Sequence, residues 1–128
     1  MLLDTNALLW VYHDSERLGP LARERIGAAS LVHFSSASVL EIVIKNMLGR
    51  LPLPGGDELS SVFSRSGLTE LPFTAEHAAA LARFPGLARH DPFDRMILAQ
   101  ASQERMPLVT SDATLLSLGE DRVIDARR

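Results

Sequence analysis

Met1-Leu2-Leu3-Asp4-Thr5-Asn6 is the stretch that decides the fold of this chain. Its short apolar run ends in a carboxylate, and apolar residues at helical spacing follow at once in Ala7, Leu8 and Val11. This order is typical of the first strand of a parallel α/β sheet and of the helix that follows it. Ligands of such sheets bind beyond the carboxyl ends of the strands. We therefore expect Asp4 to lie where chemistry takes place.

Strands and helices are predicted to alternate along the whole chain. Four more segments have the character of short strands: 31–35, 68–73, 107–110 and 122–125. Helices are predicted at 5–12, 21–28, 38–48, 57–66, 74–82 and 112–118, and the longest helix opens at Asp91-Pro92-Phe93-Asp94. We expect a loop at 51–56 and an irregular segment at 83–90. This alternation predicts an α/β fold with a mostly parallel sheet.

Length and composition limit the possible classes of protein. The 128 residues, of which 46% are hydrophobic, suffice for one domain, which we expect to span residues 1–128. Since the chain has no cysteine, disulfides and thiolate metal sites are excluded, and no apolar run approaches the ~20 residues of a membrane span. We expect a complete cytoplasmic protein. A net charge of −3 is unlike a generic nucleic-acid binder, although carboxylates that hold cations count as negative in that sum.

Four acidic residues fall where predicted strands lead into predicted helices. Asp4 and Asp112 come just after strands, and Asp94 lies in the first turn of its helix. Glu41 lies in the first turn or so of the helix after the second strand. Because the carboxyl ends of parallel strands meet at one edge of a sheet, we expect these four side chains to converge there. Asp91 is a close fifth.

Several carboxylates on one edge need a cation, since like charges raise one another's pKa. Oxygen ligands with open positions suit Mg²⁺ or Mn²⁺, which also bind phosphate oxygens. One or two such ions could activate a water and stabilise the leaving oxygen of a phosphodiester. The pattern therefore predicts a metal-dependent nuclease.

A structural interpretation of the same acids competes with the metal site. Asp is a preferred N-cap, and each of these aspartates stands near a predicted helix start. The segment Asp91-Pro92-Phe93-Asp94 is close to a capping box with Pro at the first position, and Glu41 alone could be a solvated helix residue. All four acids together at such junctions favour the metal site. We assign Asp91 to the cap and Asp94 to the metal, and the reverse assignment stays open.

Polar residues near the acids are candidates for supporting roles. Lys45 stands one helical turn after Glu41, either as an ordinary ion pair or as a cation of the site. Arg95 and Arg89 bracket the acidic loop and could contact phosphate. The residues that could orient carboxylates or waters are Thr5, Asn6, Ser38, Thr110 and Ser111.

Other side chains have structural interpretations. We expect Trp10, Leu40 and the methionines in the core. The apolar residues that recur at helical spacing in the helix after the second strand are Val39, Leu40, Val43, Ile44 and Met47. The four histidines show no metal-ligand spacing to one another. His90, beside the acidic loop, either touches substrate or serves the loop and its cap.

Six segments of the chain form a series with a recognisable order and spacing. They are 2–10, 35–49 around Glu41-Ile42-Val43-Ile44-Lys45, 51–53, 71–74, 90–101 with His90-Asp91-Pro92-Phe93-Asp94-Arg95 at its start, and 108–112. In this series, which covers nearly the whole chain, the sequence resembles the PIN-domain family. Within that family it is similar to the VapC-type toxins of bacterial toxin–antitoxin pairs.

The resemblance implies a PIN-like three-layer α/β/α sandwich and a ribonuclease that depends on Mg²⁺ or Mn²⁺. The acidic quartet of the family falls on Asp4, Glu41, Asp94 and Asp112. The resemblance also implies an RNA substrate, often tRNA or rRNA, and a small VapB-like antitoxin that threads a segment across the site. Such toxins commonly form a homodimer.

The sequence departs from the pattern of these toxins at four places. Asn6 stands where a histidine is frequent, and Leu40 stands where a tryptophan often precedes the glutamate. The order Arg89-His90-Asp91 replaces His-Arg-Asp, and 116–123 lacks a frequent tyrosine. None of these departures removes an acidic residue, and because of the changed order no contact of the family is carried over to His90.

Two other classes of protein remain as alternatives. Asp4 could be a covalent nucleophile that forms an aspartyl phosphate. A dehalogenase-like phosphatase would then have a second Asp where Asn6 stands, and a receiver domain would have its phosphate-accepting Asp on a mid-chain strand. A PIN-like binding or scaffold module without catalysis is the other alternative, although such a module would be expected to have lost at least one acid.

Overall fold

A computed structural model of the chain describes residues 1–53 and 55–128. Pro54, which falls in the loop predicted at 51–56, lies outside the described residues. The strands are β1 (Leu2–Leu3), β2 (His33–Ser35), β3 (Thr69–Leu71), β4 (Leu108–Thr110) and β5 (Val123–Asp125). All the strand pairs are parallel, and the strands form one sheet in the order β3-β2-β1-β4-β5. The predicted parallel α/β fold is confirmed.

Helices connect the strands throughout the described part of the chain. They are α1 (Thr5–Tyr12), α2 (Pro20–Ala28), α3 (Ser36–Met47), α4 (Leu59–Arg65), α5 (Ala75–Ala80), α6 (Pro92–Glu104) and α7 (Ala113–Leu116). Short 3₁₀ turns at Gly56–Glu58, Leu81–Arg83 and Pro85–Leu87 shorten the helices predicted at 57–66 and 74–82 and add order to 83–90. Within the described residues, no helix has the length and apolar character to cross a membrane.

The sheet is covered on both faces, as its apolar strands require. Successive residues of β1 point to opposite faces, so Leu2 packs in a core cluster with Ile97 of α6, while Leu3 packs in a second cluster with Leu8 of α1. Parallel strands buried on both faces read as continuous apolar runs, which explains why the sequence around β1 shows no alternation. The predicted three-layer sandwich is therefore present.

The strand order creates the crevice that positions the site. The chain passes from β1 to β2 and β3 on one side and then crosses to β4 and β5 on the other. Connections therefore leave β1 and its neighbour β4 in opposite directions, and a crevice opens beyond their carboxyl ends. Asp4 follows β1 at this point, and Thr110 is the last residue of β4.

Two expectations about helices are wrong. Leu40 and Met47 of α3, expected in the core, are 49% and 80% exposed, whereas Val39 and Val43 do pack against the core. Helical spacing identifies an apolar stripe on α3, but this stripe is wider than the part of the helix surface that packs against the core. Asp57, expected as a cap, lies in a 3₁₀ turn and α4 begins after it at Leu59.

Gln100 of α6 is a buried polar link between the helix layer and the sheet. It is 0% exposed, its Oε1 accepts a hydrogen bond from the Ser35 hydroxyl, and its Nε2 donates to the carbonyl of Leu71 at 3.1 Å. The Ser35 hydroxyl also caps α3 by accepting from the amide of Ala37 at 2.9 Å. Gln100 therefore fixes the start of α3, the helix that carries Glu41.

The substitution Gln100→Leu is expected to lower the free energy of unfolding by about 1–3 kcal/mol, because the buried Ser35 hydroxyl loses the acceptor of its proton and the partly buried Leu71 carbonyl loses the Gln100 donor. Urea unfolding measures the change. The matched control is Gln103→Leu, which removes an exposed hydrogen bond to Arg83 and is expected to cost about 0.5 kcal/mol or less. Equal losses in the two variants would contradict the structural role of Gln100.

Candidate functional site

The crevice beyond the strand ends is an open cleft of about 350 Å³. Its walls come from the starts of α1 and α6, the middle of α3, the region after β4 and the C-terminus. The residues that line it are Asp4, Thr5, Asn6, Glu41, Lys45, Asp91, Asp94, Ser111, Asp112, Ala113 and Arg127. The structure thus brings together the four acids expected to converge, and Asp91 with them.

Asp4 is the most constrained acid of the cleft. Its side chain is held by three hydrogen bonds: Oδ1 accepts from the amide of Ala7 at 2.7 Å, and Oδ2 accepts from the Thr110 hydroxyl at 2.5 Å and from the amide of Ser111 at 3.2 Å. It is 2% exposed. Burial raises the pKa of Asp4, while these hydrogen bonds oppose the rise. A carboxylate accepts about four hydrogen bonds, so a position remains on the cleft side.

Glu41 lies in the second turn of α3, one turn further along than expected, and its side chain is 7% exposed. Its Oε2 accepts a hydrogen bond from Lys45 at 2.5 Å. Its Oε1 is buried and has no hydrogen-bond partner within residues 1–53 and 55–128. Lys45 is therefore both the ordinary ion pair and a cation at the cleft wall, so the two interpretations of this lysine are compatible.

Asp91 and Asp94 differ in what their carboxylates do. Asp91 is the N-cap of α6, and its Oδ1 accepts from the amides of Phe93 at 3.0 Å and of Asp94 at 3.1 Å. Asp94, in the first turn, faces Asp112 across the cleft, and the two belong to a group of possible metal ligands that lie within 4.8 Å of one another. This geometry agrees with the assignment of Asp91 to the cap.

Asp112 also combines two roles. It is the N-cap of α7, and its Oδ1 accepts from the amide of Leu115 at 2.9 Å. The same oxygen lies 3.2 Å from Nε2 of His90. Asp112 therefore caps α7, as the structural interpretation predicts, and it also lines the cleft, so the cap does not exclude the predicted site role.

The acids repel one another strongly. Burial, together with the negative charges of Asp112, Asp91, Asp4 and Glu41 in that order, raises the pKa of Asp94 to about 7. Divalent cations are the natural partners of such a cluster, because they lower the pKa of nearby carboxyls and satisfy oxygens that lack donors. The orphaned Oε1 of Glu41 is an oxygen of this kind. The residues present therefore fit a divalent cation.

Residues predicted to support the acids are divided between the cleft and the layer behind it. Thr5 lines the cleft and donates to the Ser38 hydroxyl at 2.9 Å, which joins α1 to α3. Asn6 lines the cleft and donates to the Ser111 hydroxyl at 3.2 Å. Thr110 is not among the lining residues of the cleft, and its hydroxyl donates to Oδ2 of Asp4.

Arg95 is turned toward the segment before α6. Its guanidinium donates to the carbonyl of Ala88 at 2.8 Å, and its Nε is buried without a partner in the described part of the chain. In this structure Arg95 thus supports the loop that leads into α6, and the predicted phosphate contact stays a prediction.

Arg127 was not predicted from the sequence as a site residue, and His90 was expected only to touch substrate or to serve the loop and its cap. Arg127 lines the cleft, donates to the carbonyl of Ser111 at 2.7 Å and lies over the ring of Trp10 at 5.9 Å. The signal that could have found it is its place after β5, since that strand ends at the same edge. His90 lies beside Asp94 and Asp112, with an i,i+4 spacing to Asp94 that a sequence search could have used.

The raised pKa of Asp94 makes a prediction about stability in the absence of metal. The carboxyl loses its proton near pH 3.8 in the unfolded chain and near pH 7 in the folded protein, so the free energy of unfolding falls as the pH rises through this window. Asn cannot ionise. In EDTA, the melting temperature of Asp94→Asn should therefore exceed that of the unsubstituted protein by more at about pH 8 than at about pH 5.

Scanning calorimetry at the two pH values measures this difference. The control is Asp121→Asn, which changes an exposed carboxylate outside the cleft and should show the same small difference at both pH values. A pH-independent difference for Asp94→Asn would mean that the acids do not repel one another as the geometry indicates.

The family model of the PIN domain matches residues 1–120, and the chain belongs to the PIN-domain family. The family predicted from the sequence is thus confirmed. A search of curated proteins finds no match to the sequence.

Solved structures with the same fold include components of toxin–antitoxin complexes. A toxin–antitoxin complex from Klebsiella pneumoniae matches with a TM-score of 0.64 at 19% identity, covering 98% of this chain and 96% of the other. VapBC2 from Rickettsia felis, bound to a DNA fragment from its promoter, matches with 0.65 at 15% identity over 96% and 94% of the chains. FitAcB from Neisseria gonorrhoeae matches with 0.58 at 24% identity over 98% and 96%. At these identities the likeness establishes the fold.

Proposed function

We propose that this chain is a metal-dependent endoribonuclease and the toxin of a VapBC-type toxin–antitoxin pair. It would hydrolyse RNA phosphodiesters in the cytoplasm, with tRNA or rRNA as the expected substrates. The observation that carries the proposal is the convergence of Asp4, Glu41, Asp94 and Asp112 on one cleft at the switch point of a PIN fold.

The four acids would hold the divalent ion, Mg²⁺ or Mn²⁺. When bound, such an ion supplies positive charge to a phosphate oxygen and lowers the pKa of a water. Asp4 is fixed by its three hydrogen bonds before any ligand arrives, which is the preorganisation that a catalytic carboxylate needs. Asp94 gives up its proton as the ion binds, so we expect metal affinity to rise with pH around 7.

The cations at the cleft wall would position the RNA backbone. Lys45 and Arg127 line the cleft and can reach a phosphate that enters it. Arg127 is held in place by the carbonyl of Ser111 and the ring of Trp10, so little side-chain freedom is lost on binding. Asn6, exposed at the cleft, can donate to a phosphate or ribose oxygen.

The nuclease is tested by adding purified protein to a labelled pool of total RNA or tRNA with Mn²⁺. Cleavage is expected with metal and not with EDTA. Asp4→Asn and Asp94→Asn should lower the rate about 100-fold or more, because metal catalysis contributes several kcal/mol and each 1.36 kcal/mol is a factor of ten. Asp121→Asn is the matched control and should cleave like the unsubstituted protein.

Metal binding is measured on the same samples by thermal unfolding. Mn²⁺ should raise the melting temperature of the unsubstituted protein, and Asp94→Asn should reduce that rise. Cleavage that survives EDTA or Asp4→Asn would indicate a contaminating nuclease. Absence of both cleavage and metal binding would refute the enzyme and leave a PIN-like module that binds nucleic acid or serves as a scaffold.

Protein partners are part of the proposal. The related folds from Rickettsia felis and Neisseria gonorrhoeae were solved as VapBC2 and FitAcB, and by analogy we propose a VapB-like antitoxin for this chain.

We also propose a homodimer, in which the exposed stripe of α3 packs against its own copy. An apolar stripe on one helix face can pair with itself about a twofold axis, so one patch serves both subunits.

The stripe consists of Leu40, Ile44, Met47 and Leu48, which are 49%, 37%, 80% and 61% exposed. The double substitution Ile44→Glu with Met47→Glu should convert the dimer to a monomer, because it places charges in the interface, and light scattering after gel filtration measures the mass. The control Leu31→Glu changes an exposed leucine elsewhere, 57% exposed, and should leave the dimer intact. A dimer that survives the double substitution would exclude this face.

A further inference from the structure

His90 places a ring nitrogen beside Asp94 and Asp112, two acids of the cleft. It precedes α6, and its amide donates to the carbonyl of Leu87 at 3.0 Å, which anchors the backbone. Its Nε2 lies 3.2 Å from Oδ1 of Asp112 and 3.7 Å from Oδ2 of Asp94. The side chain is 21% exposed, and Nε2 itself is inaccessible to solvent.

The orientation of this nitrogen is unusual for a plain hydrogen bond. Although a carboxylate oxygen is only 3.2 Å away, Nε2 makes no hydrogen bond of acceptable geometry within residues 1–53 and 55–128. Donor atoms that surround one ion behave in this way, because their lone pairs point at a common centre instead of at one another. Neighbouring ligands of an octahedral ion with bonds of about 2.1 Å stand about 3 Å apart. His90, Asp94 and Asp112 offer atoms that all lie within 4.8 Å.

A second observation in the same cleft points independently to a cation. Glu41 is buried with 7% of its side chain exposed, and its Oε1 has no partner in the described chain. Glu41 comes from α3, whereas Asp94 belongs to α6 and His90 lies just before that helix. Two buried polar atoms without hydrogen-bond partners in the described part of the chain, one from α3 and one from the segment before α6, are what a cation site leaves when only the protein atoms are considered.

We propose that His90 is a metal ligand, which together with Asp94 and Asp112 makes the site favour Mn²⁺ over Mg²⁺. The inference rests on the proposed nuclease in assuming that a divalent ion occupies the cleft. Mg²⁺ binds almost entirely through oxygen and keeps several waters, whereas imidazole nitrogen suits transition-metal ions. An imidazole added to a carboxylate site therefore stabilises the Mn²⁺ complex more than the Mg²⁺ complex.

The direct test is pulsed electron paramagnetic resonance of Mn²⁺ added to the metal-free full chain. A nitrogen ligand imposes a hyperfine modulation on the Mn²⁺ spin echo, which a site made of carboxylates and water lacks. The unsubstituted protein should show this modulation, and His90→Gln should lose it. The matched control is His13→Gln, which changes an exposed histidine at the end of α1 and should retain the modulation.

Calorimetric titration with Mn²⁺ and with Mg²⁺ gives a second readout that does not depend on RNA cleavage. We expect His90→Gln to weaken Mn²⁺ binding about tenfold or more and Mg²⁺ binding about threefold or less. Gln preserves the polarity of the side chain, and the melting temperature in EDTA shows whether the variant is folded. If His90→Gln is unstable, His90→Asn replaces it in both experiments.

Three outcomes separate this inference from the proposed function. Mn²⁺ that binds to the unsubstituted protein without nitrogen modulation would overturn the role of His90 while leaving the nuclease intact. Equal losses of Mn²⁺ and Mg²⁺ affinity in His90→Gln, or a gain of Mn²⁺ affinity, would also overturn it. Failure of the unsubstituted protein to bind either ion would instead refute the metal-dependent nuclease itself.

Discussion

The hydrogen bonds of the Asp4 carboxylate are the interaction on which the rest of the site depends. They join the end of β1, the first turn of α1 and the end of β4, through Ala7, Thr110 and Ser111. The end of β4 is more than a hundred residues away in sequence from the other two, since Thr110 and Asp4 are 106 positions apart. A buried carboxylate is costly unless it is paired in this way, so the fold around it must be accurate before the site can exist. Because Asp4 is held so firmly, it is the fixed point around which the other acids of the cleft are arranged.

The remaining acids introduce a conflict between stability and function. The fold places Asp94 beside Asp112, and burial together with repulsion from Asp112 and the other acids raises the pKa of Asp94 to about 7. A core chosen for stability alone would not retain such a cluster, since like charges at short range oppose folding. Glu41 adds a buried oxygen without a donor to the same cleft. A cation in the cleft would offset the repulsion between the acids and give the Glu41 oxygen a partner. This is the physical link between the fold and the proposed chemistry.

The elements of the fold could largely be predicted from the sequence, because each follows from local features. The apolar runs mark the strands, and Asp4, Asp91, Asp112 and Thr74 mark the helix starts that they cap. The exposure of Leu40 and Met47 could not be predicted, because helical spacing shows which side of α3 is apolar but not what covers it.

The acids of the cleft could be predicted because strand ends of a parallel sheet share an edge. The positions of His90 and Arg127 could not be derived as securely, because they depend on how loops fold back over that edge. His90 meets Asp112 across 22 positions of sequence, with α6 and β4 between them, so no local pattern specifies the contact. Arg127 reaches the cleft through the carbonyl of Ser111 and the ring of Trp10, two contacts distant in sequence.

Capping and metal binding, which compete as explanations of the acids in the sequence, do not exclude one another in the structure. A carboxylate has enough lone pairs to cap a helix and still face a cleft, as Asp4 and Asp112 do. In α6 the two tasks fall on separate residues, because the N-cap position commits Oδ1 of Asp91 to two amides, whereas Asp94 at the third helical position projects from the first turn toward Asp112. The macrodipole of α6 favours negative charge at both positions, which partly offsets their repulsion. Helix starts are therefore an economical way to assemble carboxylates: the backbone amides that need caps also hold the acids at fixed positions around one cleft.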